Sequence, residues 1–231
     1  MKKIKNSSGG KGDIIPNLSS LRLYDDFLAN TRVDRLQKIL ARYELFKMAM
    51  DVPGNIVECG VMRGSGIYTF AKFQKIFKPN NEQKIVGFDF FEKSRQIKFK
   101  YERDRQVLAA HSAWLGRETI LENLKNMSID NVELVAGDVA KTTKEFARHN
   151  LGFRISLLYL NVDVYDGTLA CLKNLYPLVS PGGVVAFDEY GLKGYGESNA
   201  VDEYFQRQKI QPKSIPWANT PTGYFIKEGF S

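Results

Sequence analysis

The stretch Asn55-Ile56-Val57-Glu58-Cys59-Gly60-Val61-Met62-Arg63-Gly64-Ser65-Gly66 decides the fold. Its first five residues are mostly apolar and read as a buried strand, three glycines follow within seven residues, and Ile67–Phe77 reads as a helix closed by Pro79. Strand, glycine-rich turn and helix together open a βαβ unit. The same alternation continues downstream. Strands are expected at Lys84–Phe88, Val132–Ala136, Ile155–Leu160, Val184–Phe187 and Gly223–Lys227, with helices at Thr143–His149, Gly167–Tyr176 and Ala200–Gln208. Ser180-Pro181-Gly182-Gly183 reads as a turn leading into the Val184 strand. Unbroken apolar strands separated by helices predict an α/β fold, a mostly parallel sheet covered by helices on both faces.

Upstream, apolar residues at Leu36, Ile39, Leu40, Tyr43, Leu45, Phe46 and Met50 predict one or two helices forming an N-terminal cap, ended at Asp51-Val52-Pro53-Gly54. Residues 1–19 are rich in Gly, Ser and Lys and are expected to form a flexible arm, leaving 20–231 as a single domain. The polar stretch at about 91–126 is too long for an ordinary connection and is expected to be an inserted helix or an active-site lid.

Composition limits the functional classes. With 231 residues, 43% hydrophobic and 26% charged, the chain has the make-up of an ordinary globular domain. Its two cysteines, Cys59 and Cys171, sit in apolar runs and read as free thiols of a reducing compartment. No apolar stretch follows the basic N-terminus, so neither a signal peptide nor a membrane span is expected, and a cytoplasmic enzyme is the default. The net charge of +7 raises the question of a polyanionic partner. Signatures of DNA or RNA binding are missing, and Lys93, Arg95, Lys98, Lys100, Arg103 and Arg105 are interleaved with acids as on a solvated helix face.

Ligands of open parallel sheets sit beyond the carboxyl ends of the strands. The residues expected there are Glu58, Cys59, Gly60, Arg63, Gly64 and Ser65; then Asp89 and Phe90; then Gly137 and Asp138; then Asn161, Asp163 and Tyr165; and then Asp188, Glu189 and Tyr190. Neither GxGxxG nor GxxxxGK[ST] is present, and an acid stands on the first strand itself. A carboxylate there suits a cationic ligand such as S-adenosylmethionine (SAM), while the following helix N-terminus suits that ligand's carboxylate. Asp89 stands where a ribose-binding acid belongs, and Asp138 can serve the adenine edge, cap the next helix, or do both.

Glu58–Gly66, Asn161-Val162-Asp163-Val164-Tyr165-Asp166-Gly167-Thr168, Leu175–Gly183, Asp188-Glu189-Tyr190-Gly191 and Ala200–Phe205 resemble the macrocin/mycinamicin-type (TylF/MycF-like) O-methyltransferases. The resemblance implies a Rossmann-like class I methyltransferase with a seven-stranded sheet, methylating sugar hydroxyls with SAM and usually a divalent metal. Carried over by position, the implied Mg²⁺ ligands are Asn161, Asp188 and Glu189, two of them differing in type from the family's aspartates. The family's late histidine has no counterpart. Asp163, Asp188 and Glu189 are therefore the candidate catalytic bases, with His111 a minor one, and the metal itself an alternative. The implied acceptor is a small-molecule or glycan hydroxyl, and a homodimer is a further expectation. Two other readings are an enzyme methylating RNA or another polyanion, and a non-catalytic SAM- or nucleotide-binding module.

Overall fold

The computed structural model describes residues 18–80, 82–91, 99–110, 114–206, 208 and 210–229. Five strands run parallel: β1 (Asn55–Cys59), β2 (Ile85–Asp89), β3 (Val132–Ala136), β4 (Ile155–Leu160) and β5 (Val179–Phe187). A sixth, β6 (Gly223–Ile226), pairs antiparallel with β5, giving the order β3-β2-β1-β4-β5-β6. The order reverses direction at β1, between β2 and β4, which creates a crevice at the carboxyl edge there.

Adjacent residues of each central strand face opposite sides, so the sheet has two cores. Ile56, Ile85, Leu157 and Val184 join Leu45 and Phe46 of α2 (Val33–Ala49), Ile67 and Phe70 of α3 (Ser65–Phe77), and Ile120 and Leu124 of α5 (Arg117–Asn126). Val57, Val86, Leu158 and Val185 join Phe146 of α6 (Val139–His149), Leu172 and Leu175 of α7 (Tyr165–Leu175), and Val201 and Phe205 of α8 (Glu197–Phe205). This double coverage explains why the strands read as continuous apolar runs. Two further helices are α1 (Leu18–Asn30) and α4 (Glu102–Ala110). The chain divides into two compact units, residues 1–36 and 37–231.

Three expectations change. The sheet has six strands among the described residues rather than seven, and beyond β6 only Lys213 makes an antiparallel bridge, to Tyr224. Pro212 and Pro216 flank that segment, and the missing proline N–H groups stop a ladder from growing in either direction. Residues Ser180–Gly183 belong to β5 rather than to a turn before it, with Gly182 at φ 80° and its N–H donating to the Lys227 carbonyl. Helix α2 buries Ala41, Arg42, Leu45, Phe46 and Ala49, while Leu40, placed on the apolar stripe by spacing, is 54% exposed. The arm expected over 1–19, except its last two residues, lies outside the described residues, as do Lys93, Arg95, Lys98 and His111.

Candidate active site

The β1–α3 turn is held by contacts that allow no side chain at two of its glycines. Gly60 has φ 91°, and a Cβ there would collide with the carbonyl of Asn161 at the end of β4. Its N–H donates to Phe88 O at 2.9 Å, and Asn161 N–H donates to Cys59 O at 2.8 Å, so the ends of β1, β2 and β4 are laced together. A Cβ on Gly66 would overlap the Glu58 carboxylate, so the first turn of α3 rests directly on that acid. Gly64 caps α3 at φ 83° with no side-chain hydrogen bond, leaving the first helical N–H groups open to an anionic ligand group.

Glu58 is 1% exposed, and the cation opposite it is Arg42, 2% exposed, at 3.7 Å. Burial pushes the Glu58 carboxyl up to about 7, with the Arg42 guanidinium pulling against that rise. Arg42 also stacks over the Tyr159 ring at 5.2 Å and donates to Ser65 Oγ at 3.4 Å. Glu58 Oε2 and Arg42 Nε are buried with no hydrogen-bond partner among the described residues. Cys59 is fully buried, its thiol pushed up by burial and by the neighbouring Cys171.

Asp89, at the tip of β2, accepts from Met62 N–H through Oδ2 and from Phe90 N–H through Oδ1, both at 2.6 Å. It thereby clamps the β1 turn, and each oxygen keeps a second lone pair for a ligand hydroxyl. The Asp89 carbonyl accepts from Gly137 N–H at 2.8 Å. Asp138 caps α6 through Ala140 N–H at 2.9 Å, as the sequence allowed, which leaves its other oxygen for a ligand. Phe90 is half-buried, whereas Arg63 and Ser65 are exposed.

The ends of β4 and β5 carry the acidic half of the site. Asp163 lies at φ 66°, and Val164 N–H donates to Val162 O at 2.7 Å, so it occupies the centre of a strained γ-turn. Asp188 is buried, and Lys38 of α2 places its ammonium 2.5 Å from Oδ2. The Tyr159 hydroxyl donates to Asp188 Oδ1. Burial alone would raise Asp188, but Lys38, Glu189 and Tyr159 together hold it below the usual carboxylate range. Glu189 behaves oppositely: burial and the facing Asp188, Asp163 and Glu197 push it far up. Glu197, fully buried, accepts from Glu189 N–H at 2.8 Å and is likewise pushed well up by burial.

Of the three positions implied for a metal, Asp188 is already paired with the Lys38 ammonium. Asn161 brings no charge and donates its amide N–H to Gly60 O at 3.3 Å, while Asp188 also accepts from the Tyr159 hydroxyl. Among the described residues no group of three or more His, Cys, Asp or Glu is arranged to hold an ion. Residues present here thus do not fit the implied Mg²⁺. They do fit a charged, ribose-bearing cofactor at the β1–β2–β3 edge.

Within the stretch expected to be an inserted helix or lid lie two helices, α4 and α5. Asp104 of α4 is 1% exposed, accepting from Tyr165 N–H at 2.7 Å and from the Gly196 backbone, so α4 is tied to the starts of α7 and α8. Arg103, Gln106, Val107, Ala110 and Tyr195 line an open cavity of about 380 Å³. Burial raises the Tyr195 hydroxyl, and so do Asp163, Glu189 and Asp188, which places the cavity beside the acidic cluster. Lys100 is committed to Tyr165 and Glu203, and Arg105 to Glu102. His149 is exposed, and Trp217 is 45% exposed. Sequence reasoning missed Lys38, Arg42, Asp104, Tyr159 and Glu197. The one available signal was that Lys38 and Arg42 continue the Leu45–Ala49 stripe of α2 at helical spacing.

Residues 24–225 match the model of the macrocin-O-methyltransferase (TylF) family. The chain belongs to that family. It is thereby a SAM-dependent O-methyltransferase. A Streptomyces olivaceus relative named 8-demethyl-8-(2,3-dimethoxy-α-L-rhamnosyl)-tetracenomycin-C 4'-O-methyltransferase is 28% identical over 185 residues, covering 78% of this chain and 67% of that one. Demethyldecarbamoylnovobiocin O-methyltransferase of Streptomyces niveus is 29% identical over 177 residues, covering 71% and 63%. The chain therefore spans about two thirds of the length of each of these relatives. The solved structure of CalS11, a calicheamicin methyltransferase, superposes with a TM-score of 0.76 at 25% identity, covering 94% of this chain and 87% of that one. This TylF-family protein shares the fold of that solved structure, and its carboxyl edge carries the glycine turn and Asp89 that suit the cofactor.

Proposed function

We infer that this protein transfers the SAM methyl group to a hydroxyl of a sugar, free or attached to a larger molecule. The observation that carries the reading is the division of the carboxyl edge into two halves. The β1–β2–β3 half offers an uncapped helix N-terminus, glycines without room for side chains, and Asp89 and Asp138 with lone pairs to spare. The β4–β5 half offers Asp163, Asp188 and an adjoining cavity. The two relatives' names, one of them a rhamnosyl 4'-O-methyltransferase, support a sugar or natural-product acceptor.

When bound, the cofactor supplies an electrophilic methyl carbon on a sulfonium. In this reading Glu58 does not meet that cation directly; it is partnered by Arg42 and sets the first turn of α3. The acceptor hydroxyl lies beside Asp163, which takes its proton as the oxygen forms its bond to carbon and the carbon–sulfur bond breaks. Of the three acids expected as bases, Asp188 is engaged by Lys38 and Tyr159, and Asp163, in the left-handed turn after β4, is the one this reading assigns. Alignment of the two reactants supplies most of the acceleration, up to about 7–11 kcal/mol, with the base adding roughly 10²–10⁴-fold. Exposed Leu23, Tyr24, Phe27 and Leu28 on α1 support association into a homodimer, which light scattering would measure.

The experiment is methyl transfer from radiolabelled SAM to a panel of rhamnosylated and other deoxysugar acceptors. Wild type is expected to label at least one, and Asp163→Asn to lose about 10²–10⁴-fold in kcat with SAM affinity kept. Full activity in Asp163→Asn would remove Asp163 as the base.

A further inference from the structure

The position the resemblance reserves for a divalent cation already contains a cation of the protein's own. Lys38 reaches from α2 to Asp188 Oδ2 at 2.5 Å with its side chain only 16% exposed. Its charge also acts on Glu58 and Glu197, so it serves the whole cluster of buried acids rather than one partner. Asp188 is the pivot, because its other oxygen accepts from Tyr159 and Glu189 adds a further hydrogen bond. Asn161 carries no charge and donates its amide N–H to Gly60 O. A doubly charged ion would need oxygen ligands at about 2.0–2.1 Å in near-octahedral geometry. To use Asp188 as one of them, it would have to displace an ammonium from a desolvated carboxylate.

We propose that Lys38 is the resident cation of this acceptor site, standing where the family's resemblance implies a metal, and that methyl transfer in this protein runs without one. The ammonium has three donors, and one is committed to Asp188. The others can hold the acceptor oxygen and stabilise negative charge as it develops there, a role a metal would otherwise take as a Lewis acid. The uncharged Asn161 then belongs together with Lys38, since one fewer carboxylate leaves less negative charge for a second cation to balance.

This inference rests on the methyltransferase reading, and the test separates the two. Wild type, Lys38→Met and Lys38→Arg are titrated with Mn²⁺ alone and followed by electron paramagnetic resonance of the free ion, while SAM binding is measured separately by calorimetry. Wild type is expected to leave the Mn²⁺ signal unchanged. Lys38→Met, which keeps the stem and removes the charge, is expected to gain a Mn²⁺ site at least about tenfold tighter than any in wild type. That site should disappear when Asp188→Asn is added, and Lys38→Arg should behave like wild type. One Mn²⁺ bound per wild-type chain and lost in Asp188→Asn would overturn the proposal. A folded Lys38→Met that binds SAM but takes up Mn²⁺ no better than wild type would also overturn it. Failure of all the folded proteins to bind SAM would instead strike the parent reading.

Discussion

Replacing Arg42 with alanine tests how the cofactor turn is held. The guanidinium and the Glu58 carboxylate are 2% and 1% exposed and 3.7 Å apart, so neither exchanges its partner for water. Removing one member of such a pair strands the other, which costs about 3–5 kcal/mol. That is a large share of the roughly 5–15 kcal/mol by which a domain is stable. Glu58 can relieve part of the cost by taking up a proton, because burial already pushes it to about 7. The loss should therefore be larger at pH 8 than at pH 6. The assay is urea unfolding followed by circular dichroism at both pH values, run as a double-mutant cycle with Glu58→Gln. In the Arg42→Ala background Glu58→Gln should become stabilising, since the stranded acid is gone, with a coupling of at least about 2 kcal/mol. Additive single changes, within about 0.5 kcal/mol, would refute the idea that this pair is the anchor.

Gly66→Ala should force the Glu58 carboxylate off the start of α3, lowering the melting temperature by several degrees and weakening SAM affinity by about tenfold or more in calorimetry; an unchanged affinity would detach the turn from the cofactor. The pH dependence of Glu58 carries a definite sign. Its folded-state value lies above the ordinary 4.5, at about 7, so its contribution to stability is complete at low pH and is lost as pH rises through 7. The advantage of wild type over Glu58→Gln in urea unfolding should accordingly shrink by about 3 kcal/mol between about pH 4.5 and 8. An advantage that grows with pH would reverse the assignment.

The architecture was legible because the central strands are buried on both faces and leave unbroken apolar runs. Val132–Ala136 and Ile155–Leu160 were read to the residue. Helix starts were placed late. Val139 and Tyr165 enter their helices directly from the loops at Asp138 and Val164, where polar or β-branched residues mask the onset. The six strands legible in the hydropathy are the six found among the described residues; the seventh came only from the resemblance, and Pro212 and Pro216 remove the N–H groups a further ladder would require. At the site, the glycines and the acids at strand ends could be read from spacing alone. What spacing could not reveal is who partners whom. Lys38 and Arg42 look like ordinary charges of a surface helix until α2 is laid against the sheet. Only then do they meet Asp188 and Glu58, 150 residues downstream for one and 16 for the other. The upward push on Glu189 follows from that same packing and has no signature in the chain.

Isothermal titration calorimetry of the folded protein with SAM and with its demethylated product tests the central claim most directly. One molecule of either should bind per chain, and Asp89→Ala, which releases the Met62 and Phe90 N–H groups, should weaken both by about tenfold or more. A folded wild-type protein that releases no heat with either ligand, and shows no shift in melting temperature in their presence, would contradict it.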